Sequence, residues 1–172
     1  MTMTVIVTQA ARPQEPIIQN LAQLYTHDFS EFWADTSKGD LLPDGRFEAY
    51  PLGEYWTRPA WSASLIWRDD TLAGFALVND HAHCDEPVDH SMAEFFILRK
   101  HRGRGVGRLA AKIIFSQYPG SWEVAVARKN LQAGSFWRKT INGAAAAKGL
   151  YEIDVGNDHW NGPILRFEWI TQ

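Results

Sequence analysis

The stretch FFILRKHRGRGVGRLAAK, from Phe95 to Lys112, decides the reading of the whole chain. Ser91 to Lys100 reads as a strand that holds a compact apolar block, Phe95-Phe96-Ile97-Leu98. The chain then turns through Arg102-Gly103-Arg104-Gly105-Val106-Gly107 into a helix expected over Gly105 to Tyr118, which Pro119-Gly120 stops. Glycines let a backbone adopt unusual dihedrals and lie close to a ligand. A helix N-terminus presents unpaired N–H groups and a partial positive charge. Together they make a cradle for phosphate oxygens. Arg99, Lys100, Arg102, Arg104, Arg108 and Lys112 concentrate basic charge at the same point. A ligand with several phosphate charges is the natural partner.

Two familiar phosphate motifs are absent. The P-loop needs Gly-Lys-Ser/Thr after four intervening residues, and no such run occurs. The dinucleotide fingerprint fails at its third glycine, which is Arg108 counting from Gly103. The acid that would hold a ribose is also missing from the end of the next strand, where Arg128 and Lys129 stand, with Glu123 at its start.

Outward from this stretch, MTVIV (Met3 to Val7) reads as a strand and Pro16 to Ala34 as an amphipathic helix. Asp35 to Ala60 is loop, punctuated by glycine and proline. Ser62 to Asp80 reads as two strands around Asp69-Asp70, and His81 to His90 as a polar connection. Ser121 to Ala127 is a strand and Asn130 to Asn142 a helix, with Asn130 as N-cap and Gly143 as stop. Leu150 to Val155 and Pro163 to Ile170 close the chain as strands, the last with Leu165, Phe167 and Trp169 opposing Arg166 and Glu168. The expected fold is mixed α/β: a twisted, mostly antiparallel sheet of about seven strands, flanked by helices, with one strand–helix–strand crossover.

Composition narrows the function classes. In 172 residues, 17 basic against 20 acidic side chains give a net charge of −3, which disfavours nucleic acid as the main partner. Aromatic residues are 13% of the chain, which disfavours disorder. The single cysteine, Cys84, cannot form an internal disulfide, so a reducing cytoplasmic setting is expected. No apolar run reaches membrane-span length, and the first residues lack the pattern of a signal peptide. One domain, 1–172, is expected from the length.

The run R-x-x-G-x-G at Arg102 to Gly107 resembles the GNAT superfamily of acyl-CoA-dependent N-acyltransferases. FFILRKHRGRGVGRLAA is similar to that family's fourth strand and cofactor helix. VAVARKNLQAGSFWRKT (Val124 to Thr140) is similar to its fifth strand and following helix, with Asn130 and Ala133 as Asn-x-x-Ala. The resemblance implies the GNAT fold and a soluble N-acetyltransferase using acetyl-CoA on a primary amine, by direct attack in a ternary complex. The acceptor is open: polyamine, amino acid, antibiotic, peptide N-terminus or lysine side chain. A non-catalytic acyl-CoA sensor and a nicotinamide-dependent oxidoreductase are the alternatives. A homodimer is compatible with the family.

The same resemblance implies roles. The backbone of Ile97, Leu98 and Arg99 would bond the pantetheine arm. The amides of Gly103, Arg104, Gly105, Val106, Gly107 and Arg108 would hold the pyrophosphate, with Arg102, Arg104 or Lys100 reaching the phosphates. Asn130 would touch pantetheine, cap its helix, or do both. The family's usual tyrosine acid is replaced by Trp137, preceded by Phe136, so Trp137 is either a wall beside the thioester or a core aromatic. The thiolate would then leave unprotonated or take a proton from Ser135, Tyr151 or water. Glu94 is the candidate general base, because strand alternation puts it with Phe96 opposite Ile97, and a carboxylate beside Phe95 and Phe96 can have a raised pKa. A strand-edge ion pair is the plainer role for it.

Two further groupings stand out. Tyr25, Phe29, Phe32, Trp33, Tyr50, Tyr55, Trp56 and Trp61 would line an acceptor pocket or pack as core, with Asp28, Glu31, Asp35 and Asp40 adding negative charge nearby. His81, His83, Cys84, Asp85, Glu86, Asp89 and His90 could ligate zinc, but one polar connection between strands is better read as a solvated loop, and no metal is expected.

Overall fold

The computed structural model describes residues 3–171. Its centre is a seven-stranded sheet: β1 (Val5–Gln9), β2 (Ser62–Arg68), β3 (Thr71–Asn79), β4 (His90–Ile97), β5 (Gly120–Ala125), β6 (Ala147–Gly156) and β7 (Asn161–Trp169). The order is β1-β2-β3-β4-β5-β7-β6. Every neighbouring pair is antiparallel except β4 and β5. The helices are α1 (Glu15–Ser30), α2 (Val106–Gln117) and α3 (Leu131–Asn142). A mixed α/β fold with one parallel crossover, β4–α2–β5, is therefore what the chain adopts. Among the described residues, no helix is long and apolar enough to cross a membrane.

The sheet separates two apolar layers. On one face α1 buries Ile18, Leu21 and Ala22 against Leu65, Phe75, Leu77 and Phe96. On the other, α2 and α3 pack on Ile66, Ala76, Val124 and Leu165. Phe115 is the hub of this second layer, with ring centroids 4.7 Å from Trp122, 5.1 Å from Phe167 and 5.2 Å from Trp169. Side-chain alternation along each strand is what sorts residues between the layers.

Helical periodicity puts Leu109 on the buried face of α2, yet it is 40% exposed. The inward stripe is Val106, Ala110, Ala111, Ile114 and Phe115. Two alanines bring the helix close to the sheet, and Phe115 fills the space that closeness leaves beyond them. Strand β6 starts at Ala147, inside the short alanine run and three residues before the expected start. Its pairing with β7 slips between Lys148 and Tyr151. Arg99 and Lys100, expected as the end of the strand, instead form a 3-10 turn with His101.

The irregular stretch after α1 is fastened rather than loose. Gln19 and Gln23, one helical turn apart, each accept from and donate to the backbone of one loop residue, Tyr50 and Phe47 respectively, at 2.8–3.1 Å. Two side chains thus act as a short ladder for an extended segment, satisfying backbone groups that would otherwise need water. Tyr50, Tyr55, Trp56 and Trp61 then pack on the α1 layer.

Candidate active site

Strands β4 and β5 pair only at His90–Trp122 and Ser91–Glu123, then separate. Pairing of β4 with β3 also slips where Leu77 faces Glu94 and Val78 faces Met92, which leaves Ala93 as an extra residue. A bulge of this kind bends its strand. The cleft beyond the last β4–β5 pair has a volume of about 630 Å³. Its walls come from the end of β4, the loop into α2, the start of α3 and the last turns of α1.

Backbone donors face this cleft. The Leu98 N–H bonds the Ala73 carbonyl at 2.8 Å, toward β3. Alternation along the strand turns the N–H groups of Ile97 and Phe95 the other way, into the gap left by β5. At the α2 N-terminus the first helical bond is Leu109 N–H to Gly105 O, at 3.0 Å. The N–H groups of Val106, Gly107 and Arg108 have no protein acceptor among the described residues. Gly103 and Gly105 have φ of +70° and +83°, a left-handed conformation that L side chains rarely adopt. That double turn aims the free amides outward. A Cβ on Gly107 would lie 3.3 Å from the Phe136 ring, so only a hydrogen fits comfortably between α2 and α3.

Of the expected cofactor-binding residues, Ile97, Arg99, Arg102, Gly103, Gly105, Gly107, Arg108 and Asn130 line the cleft. Leu98 packs toward the α1 layer. Val106 is fully buried in the α2 layer, so only its backbone is available to the loop. Lys100 and Arg104 are exposed beside the cleft rather than lining it. Asn130 caps α3: its Oδ1 accepts from Ala133 N–H at 3.1 Å. Its amide nitrogen is left for the cleft.

Arg102 does not extend freely. Its Nε donates to the Ile97 carbonyl at 2.6 Å and its guanidinium pairs with Asp28 at 2.5 Å, with Cζ 5.5 Å from the Phe96 ring centroid. Arg99 shares the same carboxylate at 2.7 Å. Burial acts against the charged form of Asp28, but the two guanidiniums hold its pKa below the usual carboxylate value. One aspartate on α1 thus ties down both arginines of the phosphate end.

Trp137 is corrected from wall to core. It is 6% exposed, packed against Phe95 at 5.1 Å and Phe115 at 6.1 Å, and it does not line the cleft. Phe136, one residue earlier, lines the cleft and stacks on Phe95 at 5.9 Å. One residue is about 100° of helix, enough to exchange the inside of the molecule for the cleft. Ser135 is exposed outside the cleft, and Tyr151 is 49% exposed on β6.

Glu94 lies on the α1 face of β4, opposite Leu77. It is partly buried, and desolvation pushes its pKa to about 7 while the Tyr25 hydroxyl pulls the other way. Tyr25, Asp28 and Phe29 line the cleft from α1, and Glu31 and Phe32 from the 3-10 turn that follows it. Of the eight aromatics picked out from the sequence, Tyr25, Phe29 and Phe32 reach the cleft.

The connection from His81 to His90 is clamped rather than simply solvated. His83 Nδ1 lies 2.7 Å and its N–H 2.8 Å from Glu123, which is fully buried on β5. Arg166 on β7, 4% exposed, pairs with the same carboxylate at 2.7 Å and donates to the Glu86 carbonyl at 2.7 Å. Burial opposes ionisation of Glu123, but His83 and Arg166 together hold its pKa below the ordinary value. Arg166 thus alternates away from Leu165 and Phe167 as expected, yet into a buried ion pair rather than water. Among the described residues, no group of three or more His, Cys, Asp or Glu side chains could hold a metal ion.

The sequence profile of the acetyltransferase (GNAT) family matches residues 18–142. No curated protein sequence matches the chain. Among solved structures, it is similar to an acetyltransferase from Thermus thermophilus, with TM-score 0.60, 16% identity and 97% of each chain covered. It is also similar to the PaiA N-acetyltransferase of Thermoplasma acidophilum, solved with coenzyme A. There the TM-score is 0.59 at 14% identity, covering 96% of this chain and 99% of that one. An aminoglycoside acetyltransferase from an uncultured soil metagenomic sample gives TM-score 0.57 at 12% identity, covering 88% and 97%.

Proposed function

The chain belongs to the acetyltransferase (GNAT) family, and we propose that it transfers an acetyl group from acetyl-CoA to a primary amine. The observation that carries this reading is the meeting of two features. A strand splayed from its parallel neighbour stands directly beside a helix start with three unbonded N–H groups. The helix start, with Arg99, Arg102 and Arg108, suits a pyrophosphate. The gap between β4 and β5 suits an extended amide-bearing arm, which would replace the missing strand partner. The PaiA enzyme is a fold relative solved with coenzyme A, which supports coenzyme A as the cofactor class.

Bound acetyl-CoA supplies an activated carbonyl and a thiolate leaving group. The chain's residues must then remove a proton from the incoming ammonium, orient the carbonyl and exclude water. Glu94 is the base: a carboxyl with pKa of about 7 is half ionised near neutrality. The Ile97 or Phe95 N–H, facing the gap, is placed to donate to a carbonyl oxygen that gains negative charge. Phe95, Phe96 and Phe136 wall the cleft and reduce water. Of the two protons the ammonium loses in forming the amide, one leaves on the coenzyme A thiol and one reaches solvent. The aromatic end at Phe29 and Phe32, with Glu31 beside it, favours a cationic amine carrying an apolar body.

The test is thiol release from acetyl-CoA, with mass detection of the acetylated product, across a polyamine, an amino acid, an aminoglycoside and peptides with free N-terminal or lysine amines. Turnover that needs both protein and amine is expected. Tight acetyl-CoA binding without product from any amine would instead identify a sensor.

A further inference from the structure

We propose that Asp28 is a positioning residue for the cofactor: from α1 it holds Arg99 and Arg102 so that their unspent N–H groups meet the phosphates of acetyl-CoA. This rests on the acetyl-transfer reading above. Arg99 donates from Nε to Asp28 Oδ1 at 2.9 Å, and its Nη2 lies 2.7 Å from the same oxygen. Arg102 donates from Nη2 to Asp28 Oδ2 at 2.5 Å and from Nε to the Ile97 carbonyl at 2.6 Å. A guanidinium carries its donors in a rigid planar fork, so two bonds fix where the remaining donors point. Among the described residues, the Nη1 groups of both arginines have no partner. Asp28, Arg99 and Arg102 all line the cleft that contains the Gly103, Gly105 and Gly107 turn.

The placement of these charges suits holding rather than blocking. The Asp28 side chain is 17% exposed, whereas those of Arg99 and Arg102 are 70% and 44% exposed. The carboxylate is mostly enclosed, and the unspent N–H groups are open to a ligand. Asp28 stands on a helix anchored to the sheet layer by Ile18, Leu21 and Ala22. The support therefore comes from a packed element and not from the glycine turn itself. Burial opposes the charge on Asp28, but the two guanidiniums outweigh it and keep the pKa below the ordinary value, so the support stays charged at neutral pH. An arginine that is already ordered loses less rotamer freedom on meeting a phosphate, and its fork arrives in the geometry that paired N–H···O bonds require.

The experiment measures acetyl-CoA affinity by calorimetry for wild type, D28N, R99M/R102M and the variant that combines all three changes, with a thermal melt of each. D28N should weaken binding about tenfold, and R99M/R102M should weaken it further. In the R99M/R102M background, adding D28N should change affinity by less than about twofold, because the groups it acts through are gone. A merely structural aspartate would weaken binding by the same factor in both backgrounds, and that result overturns the proposal. D28N that binds acetyl-CoA as tightly as wild type, or more tightly, overturns it as well, since Asp28 would then be a bystander or a competitor of the phosphates. D28S supplies the same comparison should D28N melt far below wild type. Wild type that fails to bind acetyl-CoA sinks the acetyl-transfer reading and this proposal with it, whereas binding without the coupling sinks this proposal alone.

Discussion

Replacing Glu94 by glutamine should stabilise the protein above neutral pH while removing its activity. The carboxyl has an ordinary pKa of 4.5 when exposed in the unfolded chain and about 7 in the folded one, because burial disfavours its charge. Between those values the folded state holds the extra proton, so stability falls as pH rises from about 4.5 to about 7 and stays lower above it. At 1.36 kcal/mol per unit, the penalty reaches about 3 kcal/mol when the carboxylate is fully ionised. The amide of E94Q never carries that charge. At about 2–4 °C per kcal/mol for a chain of this size, E94Q should melt up to about 6–12 °C higher than wild type near pH 8. Near pH 4 both side chains are neutral and the melting temperatures should coincide. Differential scanning calorimetry across this range, paired with acetyl transfer rates, reads both effects. A variant that is destabilised equally at both pH values would show that the Glu94 charge is offset by contacts absent from the structure, and would remove the reason for its raised pKa.

Three other perturbations probe separate parts of the structure. Cutting Arg166 to alanine leaves the fully buried Glu123 without its guanidinium, and should cost about 3–5 kcal/mol in urea melts; joint replacement by E123L and R166M should recover much of that loss. W137A should cost about 3–5 kcal/mol of stability yet leave acetyl-CoA affinity nearly unchanged in calorimetry, whereas F136A should weaken acetyl-CoA binding with a smaller stability loss, since Phe136 lines the cleft. N130A removes the α3 cap at Ala133 N–H and should cost about 1 kcal/mol in thermal melts, with additional loss of acetyl-CoA affinity if the Asn130 amide serves the cleft.

The crossover was readable because its signals are local. Gly103 and Gly105 are spaced for a double left-handed turn, the apolar block before them forms one strand, and Asn130 is followed three residues later by the N–H it caps. The turn at Asp69-Asp70 was equally plain, and both aspartates take positive φ there. What sequence spacing could not supply was pairing across the fold. Glu123 and Arg166 are 43 residues apart, and alternation says only that each faces away from its apolar neighbours. It does not say that they face each other, or that His83 closes over them. Asp28 and Arg102 are 74 residues apart, so the basic loop looked freer than it is. Phe136 and Trp137 are adjacent aromatics on one helix, and the helix's rotation on the sheet decides which of them is core. Tyr25 could be picked out as an aromatic of the first helix, but its packing on Phe75 and Phe96 at the cleft depends on where that helix lies across β3 and β4.

The most direct test of the account is calorimetric titration of the protein with acetyl-CoA, 3′-dephospho-CoA, NADH and NADPH, each followed by a thermal melt. The cleft between β4 and β5 and the open amides of α2 predict one-to-one binding of both coenzyme A compounds. They predict a gain of about 2.7 kcal/mol at a hundredfold excess over Kd, and no stabilisation by the nicotinamide compounds. Stabilisation by NADH or NADPH, with none by acetyl-CoA, would contradict the assignment of the glycine turn and the acetyltransferase reading built on it.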